Sequence, residues 1–199
     1  MQLYVSSRSL TRLQRVFAFL LKLHRARWAL SSMHHAMQPD ADADGVPGVR
    51  AWWVLRADLL HVVGQLLGYL TTAMVHVEWT AFISRLPALR DLDSYMSAHD
   101  DFAARVAARC MLEPRHAPVT HAVHQILSLA LQLRIHVDTL TPESAAHAPT
   151  IERWRVELRH RVQSMLDALR RGMVEQGGRV DADLLELCRA LDVRHPARQ

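Results

Sequence analysis

Cysteine is scarce in this chain of 199 residues: Cys110 and Cys188 are the only two, too few for a disulfide framework. Reduced thiols in a cytosolic or nuclear protein are the expectation that follows. Glycine is scarce as well. Its seven copies stand at 45, 48, 64, 68, 172, 177 and 178, and none forms a loop that would cradle a phosphate. No serine sits in a Gly-x-Ser-x-Gly elbow, and no stretch alternates apolar and polar residues in the manner of a strand. With 50% hydrophobic and 22% charged residues, the composition excludes a disordered tail, a collagen-like chain and a disulfide-stapled mini-protein. At 22.6 kDa the chain can bury a sizeable core, and one domain over 1–199 is the expected organisation.

Acidic residues are absent before Asp40, whereas Arg8, Arg12, Arg15, Lys22, Arg25 and Arg27 all precede it. The formal charge of +4 is therefore concentrated at one end, because the other 18 basic side chains face all 20 acidic ones. A nucleic-acid binder spreads its bases over a reading surface and often adds stacking aromatics, so nucleic acid is not an expected partner. The Arg- and Ser-bearing start has the composition of a mitochondrial transit peptide, which leaves an organelle-targeted adaptor as an alternative reading. The preferred reading is a surface helix with a basic face, because the apolar pattern continues past Trp28. The run Val16 to Leu21 is short for a secretory signal and is followed by Lys22. Leu59 to Val77 is apolar, but His61, Gln65 and His76 interrupt it and Arg56 and Glu78 flank it. It reads as a core helix, with no membrane span expected.

Helical periodicity covers almost the whole chain. A first helix should start near Ser7 or Ser9, either of which can cap it, and run to about Met37. On it Leu10, Leu13, Val16, Phe17, Leu20, Leu21, Leu23 and Trp28 share one broad arc, opposite Arg8, Arg12, Arg15 and Lys22. Residues 39–48 read as a linker rich in Pro, Gly and Asp. A second long helix runs from about Val49 towards Val77, with the pattern continuing to Leu86 before the break at Pro87. Asp91 or Asp93 caps a third, which carries Leu92, Met96, Phe102, Val106 and Cys110 inward and ends before Pro114. Val119 to about Val137 forms a fourth, and residues 139–149 form a second linker. Ile151, Trp154, Leu158, Val162, Met165 and Leu169 line a fifth, stopped at Gly177-Gly178, and Asp183 to Leu191 closes the chain. Such amphipathic pieces are unstable alone. The expected fold is all-α: an antiparallel helical bundle of about five long helices plus short ones. Gly64 and Gly68, four apart, suggest a tight crossing in that core.

Thirteen histidines raise the question of a metal. His121 and His124 can share a helical face near His116, but no second ligand pair at a recognised spacing accompanies them. His34 and His35 are adjacent and point two ways. Cys110 has no nominated base beside it and reads as a buried thiol. No metal, cofactor or catalytic residue is expected, and the chain is not read as an enzyme.

The order of segments carries more than any single motif. Leu13-Gln14-Arg15-Val16-Phe17-Ala18-Phe19-Leu20-Leu21-Lys22-Leu23 resembles the opening of the C-terminal, γ-tubulin-binding half of the γ-tubulin complex component (spindle pole body component) family. Arg56-Ala-Asp-Leu-Leu-His61 resembles that family's Arg-x-x-Met-x-His-Phe stretch, and Val75-His-Val-Glu78-Trp79 its Val-x-Glu-x-x-Trp element. Asp91-Leu92-Asp93, His99-Asp100-Asp101-Phe102 and Arg109-Cys110-Met111-Leu112 are similar to its Asp-Leu-Asp…His-x-x-Phe/Tyr…Arg-Cys-Leu-Leu block. Leu184 to Asp192 resembles its close. Five pieces recur in one order over most of residues 10–192. The chain departs from the pattern at Leu13, where Tyr is usual, at Val62, where Phe is usual, and in having two fewer residues between Glu78 and Trp79.

The resemblance implies a helical-bundle module that binds γ-tubulin, acts with other γ-tubulin complex components in microtubule nucleation, and resides in the cytoplasm at microtubule-organising centres and spindle poles. It also implies an N-terminal half for lateral association, which this sequence lacks. Tubulins are acidic, so Arg8, Arg12, Arg15 and Lys22 form the expected partner-facing surface, with a solvated face as its bland counterpart. Arg56 and Glu78 are further candidates, alternatively pairing with each other or with another helix. His99 reads equally as a contact or as a core histidine. Trp79, Phe17 and Phe102 are expected in the core.

Overall fold

A computed structural model of the chain describes residues 6–36, 49–138, 148–175 and 182–194, and among them the chain is helical with no strand. Helix α1 spans Ser7–Ala36, α2 Val49–Thr71, α3 Thr80–Arg85, α4 Leu92–Arg109, α5 Ala117–Asp138, α6 Ala148–Glu175 and α7 Ala182–Arg194. Five of these are long, as the sequence predicts. The predicted linker at 39–48, the stop at Gly177-Gly178 and most of the linker at 139–149 lie outside the described residues. Its last two residues, Ala148 and Pro149, instead open α6.

One apolar cluster draws on α1, α2, α4, α5, α6 and α7, with Leu30, Leu55, Leu66, Ile126, Leu158 and Leu191 among its fully buried members. Burying a leucine of this kind contributes about 1.5–3 kcal/mol, which is what holds these helices together. The run Arg50–Ala88 is long and apolar enough to cross a membrane by length and composition. Its residues Leu55, Leu59, Val62, Val63 and Leu66 are buried against other helices of the chain.

Local sequence explains the ends. Ser6, rather than Ser7 or Ser9, caps α1: its Oγ accepts the backbone N–H of Ser9 at 3.2 Å. Asp91 caps α4, accepting the N–H of Ser94 at 2.7 Å. The far end of α4 closes with Leu112 N–H on the Ala107 carbonyl and Met111 N–H on the Ala108 carbonyl. That is a Schellman arrangement, and its left-handed position (φ 57°) is taken by Met111 where glycine is usual.

Several expectations fail. Leu92, expected inward, opens α4 and is 62% exposed. A Cβ added at Gly64 or Gly68 would meet nothing within 4 Å, so neither marks a tight crossing. Instead Gly68 borders a small cleft beside α7. Trp79 is 47% exposed rather than buried. The cause is a π-helical segment, Thr72–Trp79, between α2 and α3. Its wider i→i+5 turn brings Ala73 and Glu78, five apart, to the inside and turns Trp79 out. Trp79 joins Phe82, His99 and Phe102 in a peripheral aromatic cluster, in which the Phe82 and Phe102 rings stack at 4.9 Å.

Candidate partner-binding surface

The side of α1 that enters the core consists of Val16, Phe19, Leu23, Ala26, Leu30 and Met33, all buried. This stripe lies well round the helix from the centre of the predicted apolar arc, and the rotation changes what faces solvent. Leu10, Phe17, Leu21 and Trp28 are exposed, Phe17 at 63% and Trp28 at 72%. Phe17 is thus not a core residue. The misassignment has a physical reason: the helix carries two apolar stripes, and a single averaged arc falls between them. The separate spacing of 16, 19, 23, 26, 30 and 33 is the signal that would have told them apart.

The basic candidates divide into free and engaged side chains. Arg8 and Lys22 are exposed, as are Arg25 and Arg27, which sequence reasoning did not single out. Lys22 Nζ lies 3.5 Å from His124 Nε2 on α5. Arg12 is half-buried and its charge acts on Asp100 of α4, whose carboxylate accepts the hydroxyls of Ser9 and, at 2.8 Å, Ser6. The hydroxyl of Ser9, then that of Ser6, hold the Asp100 carboxyl below its ordinary value, with smaller help from His99 and Arg12. Arg15 is exposed along its length, but its guanidinium donates to the Leu112 carbonyl at 2.5 Å.

The remaining candidates are tied inward. Arg56 donates through Nε to the Leu30 carbonyl at 2.7 Å and lies over the Trp53 ring at 5.3 Å, fastening α2 to α1. Glu78 is 5% exposed. Its carboxylate accepts Arg105 Nε at 2.8 Å and Arg109 Nε at 3.2 Å, both from α4. Arg56 and Glu78 therefore pair with other helices and not with each other. His99 is half-buried, packed edge-on against Phe82.

The segment Arg109 to Leu112 is a junction. The Arg109 carbonyl accepts Tyr69 Oη at 3.4 Å, the Met111 carbonyl accepts Thr120 Oγ1 at 2.7 Å, and the Leu112 carbonyl takes Arg15. Cys110 Sγ donates to Met74 Sδ at 3.5 Å. Burial pushes the Cys110 thiol up to about 12 and the Cys188 thiol upward as well, so both stay protonated and unreactive at neutral pH. Beside the junction a cleft of about 500 Å³ is walled by Tyr69, Glu78, Arg105, Arg109, His116 and Met173, among others. Glu78, the carboxylate on that wall, is held by two arginines and is not a free general base. Among the described residues no three His, Cys, Asp or Glu side chains are grouped to hold a metal. His121 Nε2 meets Gln125 at 2.8 Å, and His124 packs edge-on against Phe19.

Arg15, Arg56, Glu78 and the turn at 109–112 all belong to the segments whose order resembles a known family, and all are joints between helices. These parts of the resemblance are architectural. The family model described as gamma tubulin complex component C-terminal matches residues 1–195. The chain is 30% identical over 122 residues to gamma-tubulin complex component 6 of Homo sapiens, covering 60% of this chain and 7% of that protein. It is 24% identical over 144 residues to gamma-tubulin complex component 3 of Arabidopsis thaliana, covering 66% and 17%. Against gamma-tubulin complex component 3 of Homo sapiens it is 20% identical over 133 residues, covering 63% and 14%. The chain thus spans less than a fifth of the length of each of these relatives. With the matched model running over nearly all of its residues, the chain belongs to the gamma tubulin complex component C-terminal family.

Proposed function

We propose that the chain is a γ-tubulin-binding scaffold that acts with other γ-tubulin complex components in microtubule nucleation, at minus ends held by microtubule-organising centres and spindle poles. The observation that carries this reading is the family match over residues 1–195. The acid-free, Arg-bearing face that α1 puts into solvent supports α1 as the contact helix. Arg8 and Lys22 contact the acidic partner or steer its approach, while Arg12 and Arg15 act from the edge of that face, where Arg15 also holds the 109–112 turn. Arg56, Glu78 and His99 support the surface from within. The work is binding, not catalysis, and all of 1–199 acts as one unit.

Purified γ-tubulin on beads is expected to retain the chain at micromolar concentration. Failure to retain a chain whose circular dichroism shows it helical and folded contradicts the proposal. A fluorescent fusion is expected at spindle poles, and accumulation in mitochondria instead would favour the organelle-targeted adaptor.

A further inference from the structure

The exposed apolar residues of α1 are not scattered. Leu10, Phe17, Leu21 and Trp28 fall within roughly 40° of one another at about 100° per residue, on the side of the helix away from the core stripe. Their spacing of 7, 4 and 7 residues places them in one 3.5-residue repeat, with Gln14 and His24 at the two intervening positions. A strict seam of this kind is narrower than the broad apolar face with which a helix lies in a lipid interface. Its width matches one facing helix.

We infer that this seam docks an amphipathic α-helix from another polypeptide, one whose apolar ridge is flanked by acidic side chains. Charge selects that occupant. Arg25 and Arg27 are exposed and occupy the positions that border the seam on either side of its Trp28 half, and α1 contains no acid to neutralise them. Glutamates beside the partner's ridge complete both pairs. A second copy of α1 would bring arginine against arginine and is disfavoured for that reason. Gln14 and His24 interrupt the apolar line, which fixes the register of the partner and makes the docking reversible. This surface is separate from the Arg8, Arg12, Arg15 and Lys22 edge, and the inference stands whether or not γ-tubulin is the partner of that edge.

The test uses the full chain and a labelled four-heptad peptide with leucine at its core positions and glutamate beside them, followed by fluorescence anisotropy. Glutamate flanks keep the peptide from pairing with itself. Saturable binding is expected, at least about tenfold tighter than for the same peptide with lysine flanks. The Phe17→Ser/Trp28→Ser double variant is expected to lose at least about tenfold in affinity. Both sites are exposed, so its melting midpoint should match the parent's. An Arg25→Glu/Arg27→Glu variant should reverse the preference towards the lysine peptide. No binding of the glutamate peptide, equal binding of both peptides, or binding unaffected by the double variant overturns the inference. So do self-association of the chain, or adhesion to anionic phosphatidylserine vesicles, if the double variant abolishes it.

Discussion

Glu78 shows what a single side chain does here. It is buried, and it meets two arginines whose side chains remain 37% and 30% exposed. Replacing it with alanine leaves the two cations able to reach water, so the loss falls short of a fully stranded buried charge. Glu78→Ala is expected to cost about 2 kcal/mol and Glu78→Gln about half of that, read from denaturant midpoints at constant slope. A cost near zero would remove Glu78 from the structural role assigned to it. Histidine sets a pH dependence. His116 sits below its ordinary value through burial, then through Arg115, with Glu113 opposing. His124 is lowered by burial, then by Lys22 and His121. A histidine depressed in the folded state is protonated more readily when unfolded, so stability should fall as pH drops below about 6.5. His116→Gln with His124→Gln is expected to flatten that limb of the stability profile, and an unchanged limb would assign the pH dependence to other groups.

At the scale of elements, α1, α2 and their connections decide the outcome. Gly68 lies within α2 with open space where a Cβ would go. Gly68→Ala is therefore expected to stabilise by about 0.5–1 kcal/mol, and a loss of stability would show that the position requires glycine. Ser6→Ala removes the cap of α1 and should cost about 1 kcal/mol, since Ser6 also donates to Asp100. A neutral result would show that other groups satisfy that end. The elements themselves were legible in the sequence because their apolar spacing is regular: α5 buries Val123, Ile126, Leu127, Ala130 and Leu133 as the pattern requires. The failures have two physical sources. A π-helical turn changes the period within a continuous helix, and nothing in the composition of Thr72–Trp79 announces it, so the regular pattern points Trp79 inward. A helix with two apolar stripes has a misleading average, so its single arc puts Phe17 and Trp28 on the apolar side and Arg12 opposite them. Arg56 and Glu78 were recognisable as charged residues beside an apolar helix, but their partners, on α1 and α4, come from distant sequence.

At the scale of the whole molecule, Arg15, Arg56, Glu78 and the 109–112 turn are joints within the family resemblance, and the side chains free to meet a partner lie along the outside of α1. Core and surface can therefore be separated by experiment. Leu66→Ala, fully buried in the shared cluster, is expected to destabilise the fold by about 2–5 kcal/mol. Its effect on binding should vanish under conditions where the variant is folded. Surface reversal should behave in the opposite way, changing affinity with the melting midpoint unchanged. The most direct measurement is a titration of purified γ-tubulin with the 199-residue chain, its Arg8→Glu/Lys22→Glu variant alongside, at low and at high salt. Micromolar binding by the parent is expected, weakened by the double reversal and, for the parent, by salt. A folded parent chain that leaves γ-tubulin unbound, or one bound equally well by the variant at every salt concentration, would contradict it.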